Sequence, residues 1–228
     1  MSILTWKKKI KRYLAYGPLI DRKITYYDLK KFAESIDRSG KALIVFAEFK
    51  YEHLLQDFDV MPRHTDNSEH YLEYFKDYKD ESYDTVVCSG LLEHVKHPDK
   101  LIENLHRVLK PGGKAFVSAS SVFSIHRGPE NYFHFTHFGA RFLFEKHDWS
   151  ELKISGSCGP FRSLGINCQR ILLQSRVNIF IRPFIELMAW TLPLLDVFVG
   201  KQYDGRSLNE NHEIDSMMPT NIQIVATR

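Results

Sequence analysis

Strands that alternate with helices are the feature that most narrows the folds open to this chain. The strongest strand signals are nearly continuous apolar runs, at ALIVFAEF (42–49), YDTVVCSG (83–90) and KAFVSAS (114–120). Runs of this kind are typical of strands buried on both faces of a parallel sheet. Between the last two runs, Pro98 and Asp99 open a helix with one apolar face, formed by Leu101, Ile102, Leu105, Val108 and Leu109. This order predicts an α/β fold with a parallel, doubly wound sheet.

Weaker patterns complete the predicted element order. They indicate a helix at YEHLL (51–55), a strand at FDVM (58–61), a loop over 62–69, a short strand at YLEYF (71–75), a helix over 135–146 with Thr136 as N-cap, and strands at 149–157 and 221–228. KPGG (110–113) should end the helix that Pro98 opens. Residues 1–40 are predicted to form an N-terminal helical cap, and residues 41–228 the α/β domain.

An apolar stretch at 177–200 interrupts this domain as a helical insert at about 175–200. Arg182, Glu186 and Asp196 lie within it, and each charge would cost about 2.5–3.5 kcal/mol at the centre of a membrane. Pro183 and Pro193 break its helical pattern. We therefore predict a pair of short amphipathic helices that pack as core or lid. Contact with a membrane surface, or with a second subunit in a homodimer, is the alternative.

Composition excludes several classes of protein. The net charge of +3 is too small to indicate nucleic-acid binding, although the cluster WKKKIKR (6–12) suits an anionic membrane surface or a phosphorylated substrate as well as a solvated helix face. The 3 cysteines show no CxxC spacing, which favours a reducing compartment. No signal peptide is recognisable. The predicted location is the cytoplasm, with the inner face of the membrane as the peripheral alternative.

The segment SYDTVVCSGLLEHVKHPDKLIENLHRVLKPGGKAFVSAS (82–120) carries a family pattern. A strand led by S-[FY]-D, an LEH segment and a helix that ends in R-[VL]-L-[KR]-P-G-G follow one another in order. This arrangement resembles the class I S-adenosylmethionine-dependent methyltransferases, specifically the small methyltransferase-domain family. The resemblance implies a Rossmann-like, mostly parallel sheet of seven strands with an antiparallel last strand. It also implies S-adenosylmethionine as the cofactor.

A second segment, IHRGPENYFHFTHFGARFLFE (125–145), resembles the H-x-x-P-x-D-Y-x-R-F-T-x-x-G-L pattern of a family branch associated with glycan and cell-envelope gene clusters. Asn131 stands where that branch has Asp, and His134 where it has Arg. The implied substrate is a sugar or an envelope-related small molecule that accepts a methyl group on a hydroxyl. The implied partner is that small molecule and not a nucleic acid.

The resemblance places the cofactor at the ends of the first and fourth strands of the family sheet. The residues implied there are Phe46, Ala47, Glu48, Ser89, Gly90 and Leu91. The family has a glycine-rich loop after the first strand, where glycine lets backbone N–H groups approach the ligand. Here Ala47 is the only small residue of that turn. The acid that the family places after its second strand corresponds to nothing closer than Asp59, which lies early, inside the strand.

Polar residues of the second segment are predicted to form the acceptor pocket. Methyl transfer to a hydroxyl needs a base, and histidine suits that role near neutral pH. His126 is the predicted base and His137 the second catalytic candidate. The predicted substrate-binding residues are Glu93, His94, Glu130, Asn131, Tyr132 and His134. Glu93, His94 and His126 are also chemically acceptable metal ligands, but their spacing does not demand a metal, so none is predicted.

Three functions therefore follow from the sequence. The first is an S-adenosylmethionine-dependent methyltransferase that methylates a sugar or envelope-related molecule. The second is a methyltransferase fold that has lost cofactor binding and serves as a binding subunit. The third is a peripheral membrane protein in which the basic N-terminus and residues 177–200 matter most.

Overall fold

A computed structural model describes residues 20–36, 38–47, 54–62, 69–126, 130–205 and 212–228. The chain divides into two compact units, which we call the sheet unit (Leu29–Ser157 and Thr220–Arg228) and the helical unit (Met1–Asp28 and Cys158–Pro219). The α-helices are α1 Ile20–Glu34, α2 His70–Tyr74, α3 Pro98–Val108, α4 His137–Phe144, α5 Pro160–Gln174 and α6 Arg182–Thr191. The strands are β1 Lys41–Phe46, β2 Asp57–Val60, β3 Tyr83–Ser89, β4 Leu109–Ser120, β5 Glu151–Gly156, β6 Gln202–Tyr203, β7 Glu213–Ile214 and β8 Asn221–Thr227. Short 3₁₀ helices cover Phe75–Asp77, Leu92–His94 and Leu192–Phe198.

The sheet unit contains a six-stranded sheet in the order β2-β1-β3-β4-β8-β5. The pairs β1–β2, β1–β3 and β3–β4 are parallel, whereas β8 runs antiparallel to both β4 and β5. The predicted α/β class and the antiparallel final strand are therefore confirmed. The sheet has six strands in the described part of the chain, one fewer than the resemblance implied.

The missing strand is YLEYF (71–75), and the prediction of a strand there is wrong. These residues form α2 and enter the 3₁₀ turn that follows it. The helix places Tyr71 and Phe75, four residues apart, on one buried face, where they are 1% and 0% exposed. In a strand Glu73 would share their face and be buried with them. In the helix the Glu73 side chain remains 68% exposed and contacts His70.

Both faces of the sheet are covered, as the apolar strand runs predict. Along β1, Leu43 and Val45 belong to the larger core cluster, which includes the buried residues of α3. Ala42 and Ile44 point to the other face, into a smaller cluster with Phe32 of α1.

The buried face of α3 is the predicted one. Helix α4 begins where predicted, because the Thr136 side chain accepts a hydrogen bond from the backbone N–H of Gly139 at 3.0 Å. α3 ends at Val108, and the KPGG segment lies within β4.

The charges of the apolar stretch 177–200 have partners inside the helical unit. Arg182 and Glu186 pair one helical turn apart at 2.9 Å. The Asp196 carboxylate accepts the backbone N–H groups of Phe161 and Arg162, at the start of α5, at 2.8 and 3.1 Å. A carboxylate is stabilised at that position by the helix dipole. These charges thus serve the packing of the stretch, and its use as lid, membrane contact or subunit contact stays a prediction.

Many apolar side chains of this stretch remain exposed, among them Phe180 at 87% and Phe198 at 81%. No helix within the described ranges has both the length and the apolar character required to cross a bilayer.

A polar contact ties the edge of the sheet to its centre. Tyr83 of β3 donates its hydroxyl to the Asp59 carboxylate at 2.6 Å, and the Lys41 ammonium lies 2.8 Å from the same carboxylate. Lys41, and after it the Tyr83 hydroxyl, hold the pKa of Asp59 below its usual value. Burial, and then this hydrogen bond, raise the pKa of Tyr83.

Removing the Tyr83 hydroxyl should therefore weaken the fold in a pH-dependent way. We expect Tyr83→Phe to lower the free energy of unfolding at pH 7 by about 1 kcal/mol or less, the usual net value of one hydrogen bond. Because the folded-state pKa of Asp59 is depressed, the contribution is present above the unfolded pKa of about 3.9 and is lost as the pH falls through the folded pKa.

Urea unfolding at pH 7 and at pH 2–3 measures this difference, with Tyr78→Phe as the matched control. Tyr78 packs near Tyr83 but does not donate the hydrogen bond to Asp59. A loss for Tyr83→Phe that is the same at both pH values would show that the Asp59 carboxylate is not its cause.

Candidate active site

The candidate site starts where β3 and β4 end side by side. The hydroxyls of Ser89 and Ser118 lie 2.7 Å apart in the interior, and the N–H of Gly90 donates to the Ser118 carbonyl at 2.9 Å. Gly90 has φ +79°, a conformation that side chains with a Cβ rarely adopt. The chain can therefore turn sharply after β3, and Leu91 is buried directly behind the turn.

Glu93 is a buried carboxylate in the 3₁₀ turn Leu92–His94, only 3% exposed. Its Oε1 accepts hydrogen bonds from the Ser120 hydroxyl at 2.8 Å and from the Ser120 backbone N–H at 3.3 Å. A buried charge without partners would cost several kcal/mol, and Ser120, the last residue of β4, supplies part of the required compensation. The negative charge has a neighbour in Cys88, whose thiol pKa is raised by burial and, secondarily, by Glu93.

Two imidazoles meet beside this carboxylate. The rings of His94 and His126 lie edge to face, with centroids 4.9 Å apart and planes at 87°. The Phe123 ring packs against the His126 ring, with centroids 5.3 Å apart. One ligand-type atom from each of Glu93, His94 and His126 lies within 4.8 Å of those of the other two. Among the described residues, this group includes neither His134 nor His137.

Backbone carbonyls define the tautomers of both imidazoles. The Nδ1 atom of His94 lies 2.5 Å from the carbonyl oxygen of Glu130, and that of His126 lies 3.1 Å from the carbonyl oxygen of Ser124. A carbonyl oxygen can only accept, so each Nδ1 must carry the proton. In the neutral rings Nε2 is then the basic nitrogen.

The loop at 130–134 packs against this cluster. The backbone N–H groups of Tyr132 and Phe133 donate to the Glu93 carbonyl at 2.8 and 3.3 Å. Within the loop, the Tyr132 hydroxyl donates to the Glu130 carboxylate, and His134 contacts Asn131 through Nε2 and Oδ1 at 2.8 Å. The predicted substrate-binding residues are thus brought together, from two separate parts of the sequence.

The protonation states of Tyr132 and His134 follow from the groups around them. The Glu130 carboxylate raises the pKa of Tyr132 to about 12, so its hydroxyl stays protonated near neutral pH. Packing around His134, and then the nearby His94, lower the pKa of His134. The rim of the site therefore presents neutral hydrogen-bonding groups beside the Glu130 carboxylate. His137 is the first residue of α4 and half-buried, as expected for a residue next to the N-cap.

The family resemblance placed the cofactor at the end of β1. This turn differs from the glycine-rich loop of the family. Phe46 is half-buried and meets the Tyr71 ring edge to face at 5.8 Å. Ala47 packs partly against the smaller core cluster, and Glu48 lies outside the described residues. Asp59 is held within β2 by Lys41 and Tyr83 and does not supply the acid that the family places beyond that strand.

Comparison with known proteins now adds to this geometry. Residues 35–117 match the family described as methyltransferase domain. This match supports the resemblance to the class I S-adenosylmethionine-dependent methyltransferases over that segment. The matched segment runs from the end of α1 into β4 and therefore includes β1, the Ser89–Leu91 turn, Glu93 and His94.

Curated relatives match a limited part of this chain. A ubiquinone biosynthesis O-methyltransferase from Pseudomonas syringae pv. tomato is 32% identical over 98 residues, which is 40% of this chain and 40% of the relative. One from Pseudomonas paraeruginosa is 38% identical over 96 residues, 40% of this chain and 39% of the relative. The chain thus spans about 40% of the length of these relatives.

A comparison with solved structures matches a SAM-dependent methyltransferase from Archaeoglobus fulgidus. It is 12% identical with a TM-score of 0.48, over 97% of this chain and 99% of that one.

Sequence reasoning missed three residues of the site. Ser120 holds Glu93, Ser118 faces Ser89, and Phe123 packs on His126. The serines at the end of an otherwise apolar strand were a usable signal, because small polar side chains there face the end of the neighbouring parallel strand. No pattern in the sequence indicates Phe123.

The turn after β1 generates a test of where the cofactor binds. We expect Ala47→Leu to weaken binding of S-adenosylmethionine by at least about tenfold. The larger side chain would occupy the space in which the backbone of the turn would come closest to the cofactor. Ala47→Gly is the matched control and should retain binding. Isothermal titration calorimetry on both folded variants measures the affinities. Equal affinity for wild type and Ala47→Leu would place the cofactor away from this turn.

Proposed function

We propose that this protein is an S-adenosylmethionine-dependent O-methyltransferase whose acceptor is a small molecule with a hydroxyl group. The observation that carries the proposal is the buried Glu93–His94–His126 cluster beyond the carboxyl ends of β3 and β4. Ligands of open α/β sheets bind outside the carboxyl ends of the strands. The match of residues 35–117 to the methyltransferase-domain family and the O-methyltransferase names of the matched relatives support the same reaction.

The chemistry of the cluster fits the needs of this reaction. In methyl transfer the acceptor oxygen attacks the sulfonium methyl group, the carbon–sulfur bond breaks, and the hydroxyl loses its proton. We assign that proton to Nε2 of His126, which the Ser124 carbonyl leaves as the basic nitrogen. The nearby Glu93 carboxylate would stabilise the imidazolium that forms.

For the acceptor we propose a sugar or an envelope-related molecule. The supporting feature is the rim of polar side chains, in which Glu130, Asn131, Tyr132 and His134 offer both donors and acceptors. Such a rim suits a ligand with several hydroxyl groups. Because the relatives carry ubiquinone-related names, phenolic acceptors belong in the same screen as sugars.

A second candidate is a binding subunit without cofactor, and it is favoured by one contact. Phe46 and Tyr71 pack edge to face at the end of β1, where a cofactor-binding turn would lie in the family. A third candidate, association with a membrane surface, is supported by exposed apolar side chains of the helical unit, such as Phe180 and Phe198. Sedimentation with anionic liposomes tests the third candidate directly.

Cofactor binding separates the enzyme from the silent fold. We expect S-adenosylmethionine and its demethylated product to raise the unfolding temperature, since a ligand at one hundred times its dissociation constant stabilises a fold by about 2.7 kcal/mol. Differential scanning calorimetry at millimolar ligand gives the measurement, with adenosine as the matched control. A folded protein that shows no shift would favour the binding subunit.

Loss of the proposed base should lower turnover and spare cofactor binding. We expect His126→Ala to reduce turnover by about 10²-fold or more, the usual scale for a general base. Radiolabelled methyl uptake on the acceptor found by the screen measures it. His97→Ala, an exposed histidine at the start of α3, is the control. Near-normal turnover for His126→Ala, together with loss for His137→Ala, would transfer the role to His137.

A further inference from the structure

We infer that Glu93, His94 and His126 form a binding site for one divalent transition-metal cation of the Zn²⁺ type. The sequence spacing of these residues did not predict a metal, because Glu93 and His94 lie more than thirty positions before His126. The fold brings their donor atoms within 4.8 Å of one another. The inference rests on this cluster and stands whether or not the proposed methyl transfer is correct.

The donor set has the composition of a metal centre. Two imidazoles and one carboxylate are common ligands of Zn²⁺ and of related first-row cations, and three protein ligands leave a position for water or substrate. Glu93 and His94 are each 3% exposed, and His126 is half-buried. A cation bound here would be partly shielded from water, and the carboxylate would offset part of its charge.

The hydrogen bonds that hold each of the three proposed ligand side chains in place also support the metal assignment. Metal-binding histidines usually donate their other ring N–H to a carbonyl or a carboxylate, which fixes the ring and the tautomer. Here the Glu130 carbonyl receives Nδ1–H of His94, and the Ser124 carbonyl receives Nδ1–H of His126. Nε2 is therefore the ligand nitrogen in both rings. Glu93 is held in a similar way, because Ser120 fixes its Oε1.

The distances require a modest closure around the ion. Ligand atoms at about 2.0–2.1 Å from a tetrahedral Zn²⁺ lie about 3.3 Å from one another. The ligand-type atoms of the cluster, which lie within 4.8 Å of one another, would then have to approach by up to about 1.5 Å. A shift of the loop after β4 can supply this movement and keep the contact between His126 and Ser124, since both residues lie in that loop and not within a strand or helix.

A bound cation would change the role of His126 and leave the reaction unchanged. In the metal-free protein Nε2 of His126 accepts the proton of the acceptor hydroxyl. In the metal-loaded protein the same nitrogen is a ligand. A cation held by these three side chains would supply Lewis-acid chemistry, because it would lower the pKa of a hydroxyl at its open position and so allow the proton to pass to solvent.

Direct titration of the whole chain tests the site without any acceptor or cofactor. The protein is freed of metal by dialysis against a chelator and titrated with Zn²⁺ by calorimetry. A parallel titration with Co²⁺ follows visible absorption, which reports histidine and carboxylate coordination. We expect one equivalent of either metal per chain. Glu93→Gln keeps the shape of the side chain, and His126→Ala removes a loop ligand; each should weaken binding by at least about tenfold.

The control is His97→Ala, which removes a histidine three positions from His94 that lies outside the cluster and should leave binding unchanged. Circular dichroism verifies that each variant is folded; if Glu93→Gln does not fold, His126→Ala decides. Absence of stoichiometric binding, or equal affinity for wild type and His126→Ala, would overturn the inference. Calorimetry with S-adenosylmethionine in chelator separately tests the proposed function, so the two can fail independently.

Discussion

The candidate site depends on the burial of a single carboxylate, Glu93. A charge at this depth is tolerated only with hydrogen-bond partners, and Ser120 at the end of β4 provides two of them. This requirement couples the turn after β3 to the end of β4. The Glu93 carbonyl in turn receives the N–H groups of Tyr132 and Phe133, so the same residue positions the polar loop at 130–134. One residue thus connects both sides of the site.

Most of the fold was predictable because its strands are buried on both faces. The apolar runs that became β1, β3 and β4 have no polar alternation, and such runs are typical of strands covered on both faces of a parallel sheet. Thr136 was equally clear as a helix cap. The structure of segment 71–75 could not be predicted in the same way. Tyr71 and Phe75 are four residues apart, and that spacing places them on one face of a helix and equally on one face of a strand. Only the exposure of Glu73 distinguishes the two, and that exposure depends on tertiary structure.

The site was predictable in part, for a related reason. Histidines close together in the sequence suggested one pocket, yet the structure groups His126 with Glu93 and His94, and the group of ligand-type atoms excludes His134 and His137 among the described residues. The carboxyl ends of β3 and β4 meet in space, so residues after both strands converge. Sequence proximity cannot reveal that convergence. The tautomers of His94 and His126 were also out of reach, since they depend on the backbone carbonyls of Glu130 and Ser124.

Because residues 71–75 form a helix and not a strand, the edge of the sheet is changed, and this affects how the protein behaves in concentrated solution. The helix leaves β2 as one of the two edge strands of the sheet in the described part of the chain, with β5 at the other edge. An uncovered outer strand offers its backbone to other molecules and invites aggregation. Here that strand is only four residues long and carries Asp57 and Asp59 at alternate positions. An edge this short, with an acidic side chain at Asp57 and an ion pair between Asp59 and Lys41, disfavours pairing with a second chain along this side of the sheet.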